Sequence, residues 1–420
     1  MTALTAAEQS EYTEELQQWL HDMYKHLHRT PELSMQEVKT SAFVHAQLEE
    51  LGFEVFYCAW TGVVGVLRNG AGPVVGFRAD LDGLPVLEDT DLEYASTAHA
   101  AAPDGGQVPL MHACGHDVHI TCALGAARVL SETRDDWSGT VVLLFQPGEE
   151  TGQGARAMIE DGLWERTPHP EVIFAQHVWP MHAGTLKVAS GPAMALSDSW
   201  RVTVHGRGGH ASRPDETIDP VVLAAHMIVR TQSVVSREVH PLAPAVVTIA
   251  TIQAGTKENI IAGSAEFTVN VRSLDQDVRA RLLAALRRVY AAEAMASGAP
   301  EPKIDVTYEF PLLYNDPQST AALREAFVAV FTDDRVGEAA PQLGSEDFGL
   351  LPEGAGAAGV YWLLGGMSDE VMARPDVPSN HSPRFAPVLE PTIRTGVLAA
   401  VTAMRSSLAP PAAEVARGEA

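Results

Sequence analysis

Three apolar runs in the first half of the chain, 74–78, 140–146 and 172–176, are each followed closely by acids or a histidine. These are Asp80 and Asp82, then Glu149-Glu150, then His177. Around them, apolar residues recur at helical spacing, as at Leu16, Trp19, Leu20, Met23 and Leu27, and again across 37–51, which stops at Gly52. Helices alternating with short, buried strands predict an α/β fold: a doubly wound, mostly parallel sheet with helices on both faces. In such sheets ligands collect in the crevice beyond the carboxyl ends of the strands. The acids and the histidine are therefore expected to meet in space although they are far apart in sequence.

The pattern changes near Ser190. Residues 199–205 alternate, with Trp200, Val202 and Val204 on one face. A helix (219–236), two strands (245–253 and 265–272), a helix (275–296) and a strand (303–309) are expected to follow. This order is the ferredoxin-like arrangement of a small α+β domain. After Pro311 the pattern returns to helix (320–331), strand (360–364) and helix (390–406). With 420 residues, two domains are the prior expectation. The reading is a discontinuous α/β domain, 1–193 plus 309–420, interrupted by a domain over 194–308. The tail from Pro410, rich in Ala, Pro and Glu, is expected to be disordered.

Charge narrows the partners. With 29 basic and 54 acidic side chains the formal charge is −25, which argues against nucleic acid and anionic membranes. The start of the chain is polar and acidic, unlike a signal peptide, and no apolar stretch approaches a membrane span. The three cysteines, Cys58, Cys114 and Cys122, form no disulfide framework. A reducing, cytoplasmic location is expected.

The chemistry concentrates in His112-Ala113-Cys114-Gly115-His116-Asp117. Thiolate and imidazole two residues apart suit a zinc-like cation. Taken alone, the hexamer fits equally a buried free cysteine beside helix-capping polar groups. Glu149-Glu150 adds two carboxylates that repel unless a cation or proton intervenes. One of them can bind metal while the other takes a proton from an attacking water. His177 and His381, two of 16 histidines, carry little weight by themselves. Gly206-Arg207-Gly208-Gly209-His210 lacks the ending of a phosphate loop, and its glycines serve better to present His210. No Gly-x-Ser-x-Gly elbow is present.

Seven ordered segments resemble the M20 metallopeptidase family, closest to its amidohydrolase branch of hippurate hydrolases, N-acyl-amino-acid aminoacylases and auxin-conjugate hydrolases. They are Arg78–Pro85, Met111–Asp117, Gln146–Glu150, Gln176–Pro180, Gly208–Ser212, Gly344–Phe348 and His381–Phe385, and they span nearly the whole chain. The resemblance implies a catalytic α/β domain with an inserted lid that dimerises, as a homodimer or higher homo-oligomer. It implies two divalent ions per subunit, Zn²⁺ or Mn²⁺ with Co²⁺ or Ni²⁺ as alternatives, held by Cys114, His116, Glu150, His177 and His381. Cys114 would bridge, His116 and His177 would complete one ion, and Glu150 and His381 the other.

In the same resemblance Glu149 is the general base and Asp82 supports a ligand from behind. His210 stabilises the oxyanion, reaching the partner subunit's site, and Asn259 and Arg272 bind the substrate carboxylate. The wider family has a ligand histidine two residues before the supporting aspartate. Here that residue is Asp80, so His116 is expected to supply the ligand. A second departure is Arg213-Pro214-Asp215, where many branch members read Pro-His. The expected activity is hydrolysis of N-acylated amino acids to a carboxylate and a free amino acid. A dipeptidase or carboxypeptidase on the same scaffold is the alternative, and a non-catalytic metal- or amide-binding protein the alternative of a different class. A thiol oxidoreductase is disfavoured because Cys114 and Cys122 form no Cys-x-x-Cys.

Overall fold

The computed structural model describes residues 12–101 and 105–410; the tail beyond Pro410 lies outside the described residues. The chain divides into two compact units: Met1–Ala193 with Tyr314–Ala340 and Asp347–Ala420, and Met194–Leu313 with Pro341–Glu346.

The first unit is built on an eight-stranded sheet. Its order is Glu54–Cys58, Gly62–Asn69, Gly139–Gln146, Val74–Asp80, Val172–His182, Ala358–Met367, Leu186–Val188, Val336–Glu338. The four central strands, from Gly139–Gln146 to Ala358–Met367, run parallel, and the strands on either side of them are antiparallel to these neighbours. Successive strand residues face opposite ways. Val360, Trp362 and Leu364 enter a core shared with helices Glu14–Arg29, His116–Glu132 and Leu389–Ser407. Gly359, facing the other way, lies so close to helix Leu350–Ala355 that a Cβ would stand 2.8 Å from Pro352. Helices therefore cover both faces, as the continuous apolar runs require.

Several elements exceed their expected bounds, and for two the physical reason is plain. The helix expected at 320 begins at Pro317, because the Asp316 side chain caps it and proline is favoured in a first turn. The strand expected over 172–176 continues to His182. Its pairing with Val74–Asp80 stops at Ala175, but Ala358–Met367 accompanies it further. His177 thus sits inside a strand, just past the end of its neighbour.

The second unit has a four-stranded antiparallel sheet in the order Ala245–Ala254, Ser264–Ser273, Leu196–His205, Lys303–Phe310. Helices Pro220–Glu238 and Gln276–Ala296 pack with it around a separate core containing Trp200, Phe267 and Tyr290. Chain order and strand order together make this a ferredoxin-like β-α-β-β-α-β fold. Among the described residues, no helix is long and apolar enough to cross a membrane.

Candidate metal centre

The carboxyl ends of the central strands deliver the polar residues to one place. Asp80 ends its strand and Asp82 follows it; Glu149 and Glu150 form a single helical turn after Gly139–Gln146. Cys114 and His116 flank Gly115, whose backbone is left-handed (φ 80°). A Cβ at Gly115 would come within 2.3 Å of Val178, so only glycine makes this reversal at the helix start. His381 arrives on a loop tied by its N–H to the Ala113 carbonyl at 2.8 Å.

Cys114 is common to two groups of donors. With His116 and His177 it forms one, and with Glu150 and His381 another, the ligand atoms within each lying no more than 4.8 Å apart. The imidazoles are oriented by what they touch. His177 Nδ1 is 2.8 Å from the Val178 carbonyl, which can only accept, so the proton is on Nδ1. Its Nε2 lone pair then faces Cys114 Sγ at 3.4 Å. Burial first, and then the neighbouring His119 and His116, hold His177 well below the usual histidine range despite Asp80, which favours the neutral form a metal needs.

His116 has the opposite bias. Burial works against its charge, but Asp80, Asp82 and Glu150 outweigh this and raise it to about 10. Its Nδ1 faces Asp82 Oδ1 at 3.3 Å, and its Nε2 is 3.8–3.9 Å from Asp80, Glu149 and Glu150. Neither nitrogen makes a hydrogen bond, nor does Glu150 Oε1, and all three atoms are buried. Buried polar atoms left this way are costly unless something satisfies them. Burial and then Glu150, Glu149 and Asp80 push the Cys114 thiol well above its ordinary value. A cation among these atoms would reverse that bias and take His116 Nε2 and Glu150 Oε1 as ligands, leaving the Nδ1 proton to Asp82, so the donor set fits divalent metal.

Asp82 organises the surrounding turn. Its Oδ1 accepts from the Glu149 N–H (3.2 Å), and its Oδ2 from the Glu150 N–H (3.0 Å) and the Ser34 hydroxyl (2.6 Å). Burial would raise the Asp82 carboxyl, but His116 and these bonds hold it low.

Asp80 is engaged on both oxygens, with Arg78 at 2.6 Å and His119 at 2.5 Å. The motif-based reading missed His119, although its spacing of three from His116 puts both on one helix face. His119 Nε2 accepts the Val178 N–H at 2.8 Å, so both its nitrogens are committed and it buttresses rather than ligates. Arg78 and Gln146 also bond Asp347, which accepts the Ala155 N–H at 3.0 Å.

His210, Asn259 and Arg272 belong to the second unit. His210 is exposed, and its Nδ1 accepts the Ser212 N–H at 3.1 Å, which leaves the neutral ring's proton on Nε2. Asn259 is exposed and its carbonyl accepts the Ala211 N–H. Arg272 spends Nη1 on the Leu343 carbonyl (2.6 Å) and Nε on Asn270 (2.9 Å).

An α/β sheet whose strand ends gather thiol, imidazole and paired carboxylates around one centre defines a metal-dependent hydrolase. The chain belongs to the peptidase family M20/M25/M40, whose profile matches residues 76–405. It is 35% identical over 391 residues to thermostable carboxypeptidase 2 of Saccharolobus solfataricus, covering 92% of this chain and 94% of that one. It is 36% identical over 343 residues to the N-acetyl-L-cysteine deacetylase of Bacillus subtilis, covering 80% and 78%. A solved Bacillus subtilis structure, the YXEP protein, described as a dinuclear metal-binding peptidase of family M20, aligns with TM-score 0.74 at 30% identity over 94% of this chain and 100% of that one. Such relatives are consistent with the amidohydrolase branch.

Proposed function

We propose that the chain hydrolyses the amide bond of N-acylated amino acids, yielding a carboxylate and a free amino acid, at a site loaded with two divalent ions. The observation that carries this is Cys114 standing in two donor groups at once, with Glu149 beside them. Cys114, His116 and His177 would hold one ion, and Cys114, Glu150 and His381 the other. Zn²⁺ or Mn²⁺ suits this mixed donor set, with Co²⁺ or Ni²⁺ as substitutes. When bound, such ions act as Lewis acids toward an amide carbonyl and lower the pKa of water.

Glu149 takes the proton of the attacking water and delivers it to the leaving amine nitrogen. Asp82 fixes the Glu149-Glu150 backbone while this happens. His210, with its proton on Nε2, donates to the developing oxyanion. Residues 194–308 act as a lid that also forms a homodimer, or a higher homo-oligomer, and His210 serves the partner's site. Asn259 and the Nη2 of Arg272 hold the substrate carboxylate. Asp215, near the lid hinge, tunes specificity, and the enzyme works in the cytoplasm.

A panel of N-acetyl, N-benzoyl and longer N-acyl amino acids, assayed beside free dipeptides, tests the reading. N-acyl substrates should dominate, chelation should abolish turnover, and Zn²⁺, Mn²⁺ or Co²⁺ should restore it. Turnover surviving exhaustive chelation would sink the metal mechanism, and chelator-sensitive binding without turnover would point to a non-catalytic binding protein. The carboxypeptidase relative supports a second reading, which dominant dipeptide cleavage would establish. Mixing His210→Ala and Glu149→Ala subunits should recover activity if the lid histidine acts across the dimer; no recovery places it within one chain.

A further inference from the structure

We infer that Ser34 and Glu37 are positioning residues that set the height and direction of the Glu149-Glu150 turn. This rests on the reading of Glu149 as the base. The segment containing them lies outside every motif noted in the sequence, yet it braces both loops that build the site. Residues 32–33 hold the loop after Asp82: Leu33 bridges to Gly83, whose N–H donates to the Glu32 carbonyl at 2.7 Å. Ser34 then donates to Asp82 Oδ2 at 2.6 Å.

Asp82 has four engagements: Ser34, the backbone N–H groups of Glu149 and Glu150, and the facing His116 Nδ1. Only the serine approaches from the segment outside the site, so its hydroxyl fixes the carboxylate against rotation. Glu37, fully buried, works on the same turn from its other end. Its Oε1 accepts the N–H of Gly148 at 2.8 Å and the N–H of Met35 at 2.8 Å, and its Oε2 accepts the Thr61 hydroxyl at 2.6 Å.

A third observation is independent of these bonds. Met35 is left-handed (φ 62°), uncommon for a residue other than glycine, asparagine or aspartate. Its side chain lies over Gly148, where a Cβ would come within 2.6 Å of the Met35 sulfur. Gly148 is itself left-handed (φ 56°). Strain of this kind persists where the surroundings over-determine it. Here it seats a thioether on the turn that begins the Glu149-Glu150 pair.

The test compares Ser34→Ala, Ser34→Thr, Glu37→Gln and Glu149→Gln with the parent in the full-length, Zn²⁺-loaded protein. Steady-state kinetics use the fastest N-acyl amino acid of the panel, Zn²⁺ affinity is read by chelator competition, and unfolding midpoints are recorded on the metal-free protein. Ser34→Ala should lower kcat by about tenfold to a hundredfold, with KM within about twofold, and weaken Zn²⁺ by about tenfold. Its metal-free midpoint should match the parent's, and Ser34→Thr should restore most of both losses. Glu37→Gln keeps the oxygen that Gly148 needs in one amide orientation and should fall between the two. Parent-like kcat and Zn²⁺ affinity in Ser34→Ala, no recovery in Ser34→Thr, or losses that track a lowered midpoint would each overturn the inference. Activity retained in Glu149→Gln would instead locate the failure in the assignment of the base.

Discussion

Two arginines stand within strands of the two units and could hardly be more differently housed. Arg78 lies in Val74–Asp80, 1% exposed, its guanidinium spread over Asp80, Gln146 and Asp347. Arg201 lies in Leu196–His205, with half its side chain in solvent and Glu266 at 3.3 Å. The sheets explain the contrast. Every residue of Gly139–Gln146 is buried, because helices cover both faces, whereas Ser264–Ser273 buries only alternate residues. In the first sheet Arg78 is buried among polar partners, and these form a frame behind the strand ends. In the second, polar residues on the open face, such as Arg201, are shared between a neighbour and water, although Asp198 is buried and held by Arg279 at 2.6–2.7 Å. A metal site needs the first kind of surroundings.

The comparison breaks most visibly at Arg78. Arg78→Met leaves Asp80 and Asp347 buried without their cation and should cost about 3–5 kcal/mol in denaturant unfolding. A cost under about 1 kcal/mol would mean that the frame is not maintained by charge. The next effect is set by pH, in the same unit. His28 lies between Asp117 (2.6 Å) and Glu88 (3.0 Å). Burial works against its charge, but the two carboxylates raise it from 6.5 to about 9. A raised pKa stabilises the fold fully below the unfolded value and loses that contribution as pH climbs through the folded one. Stability should therefore fall by about 3 kcal/mol between pH ~6.5 and ~9. Asp117 and Glu88, held low by His28 against their burial, lose their share instead as pH drops below the ordinary carboxylate range. His28→Gln should flatten the alkaline limb; an unchanged limb would remove His28 as its cause.

What could be read from the sequence follows the same division. The central strands were legible as continuous apolar runs, and the second unit as an alternating pattern with the β-α-β-β-α-β order. The candidate donors stood out in the sequence because Cys114, His116 and the paired glutamates are unusual together. The frame was not. Asp80 shares a strand face with Arg78 two residues before it, but nothing in the local sequence connects it to His119, or Arg78 to Asp347, since those contacts arise only when the elements pack. Ser34 and Glu37 look like any polar turn before a helix. Their task is set by Asp82 and Gly148, 48 and 111 residues away. The extension of the Val172–His182 strand depended on a partner, Ala358–Met367, that comes after the inserted unit in the sequence.

The smallest expected effect completes the comparison. Arg201→Ala removes a guanidinium whose one ion pair among the described residues is half in solvent, where Coulomb attraction is weak and the ordering of two long side chains offsets it. The change should cost no more than about 0.5 kcal/mol, and less still in high salt, where screening already weakens the pair. Urea unfolding of the variant at low and high salt measures this. A loss approaching that of Arg78→Met would mean that Arg201 is buried against something in the working protein. The exposed face of Leu196–His205 would then be a contact surface, and the two sheets would differ less than their burial patterns imply.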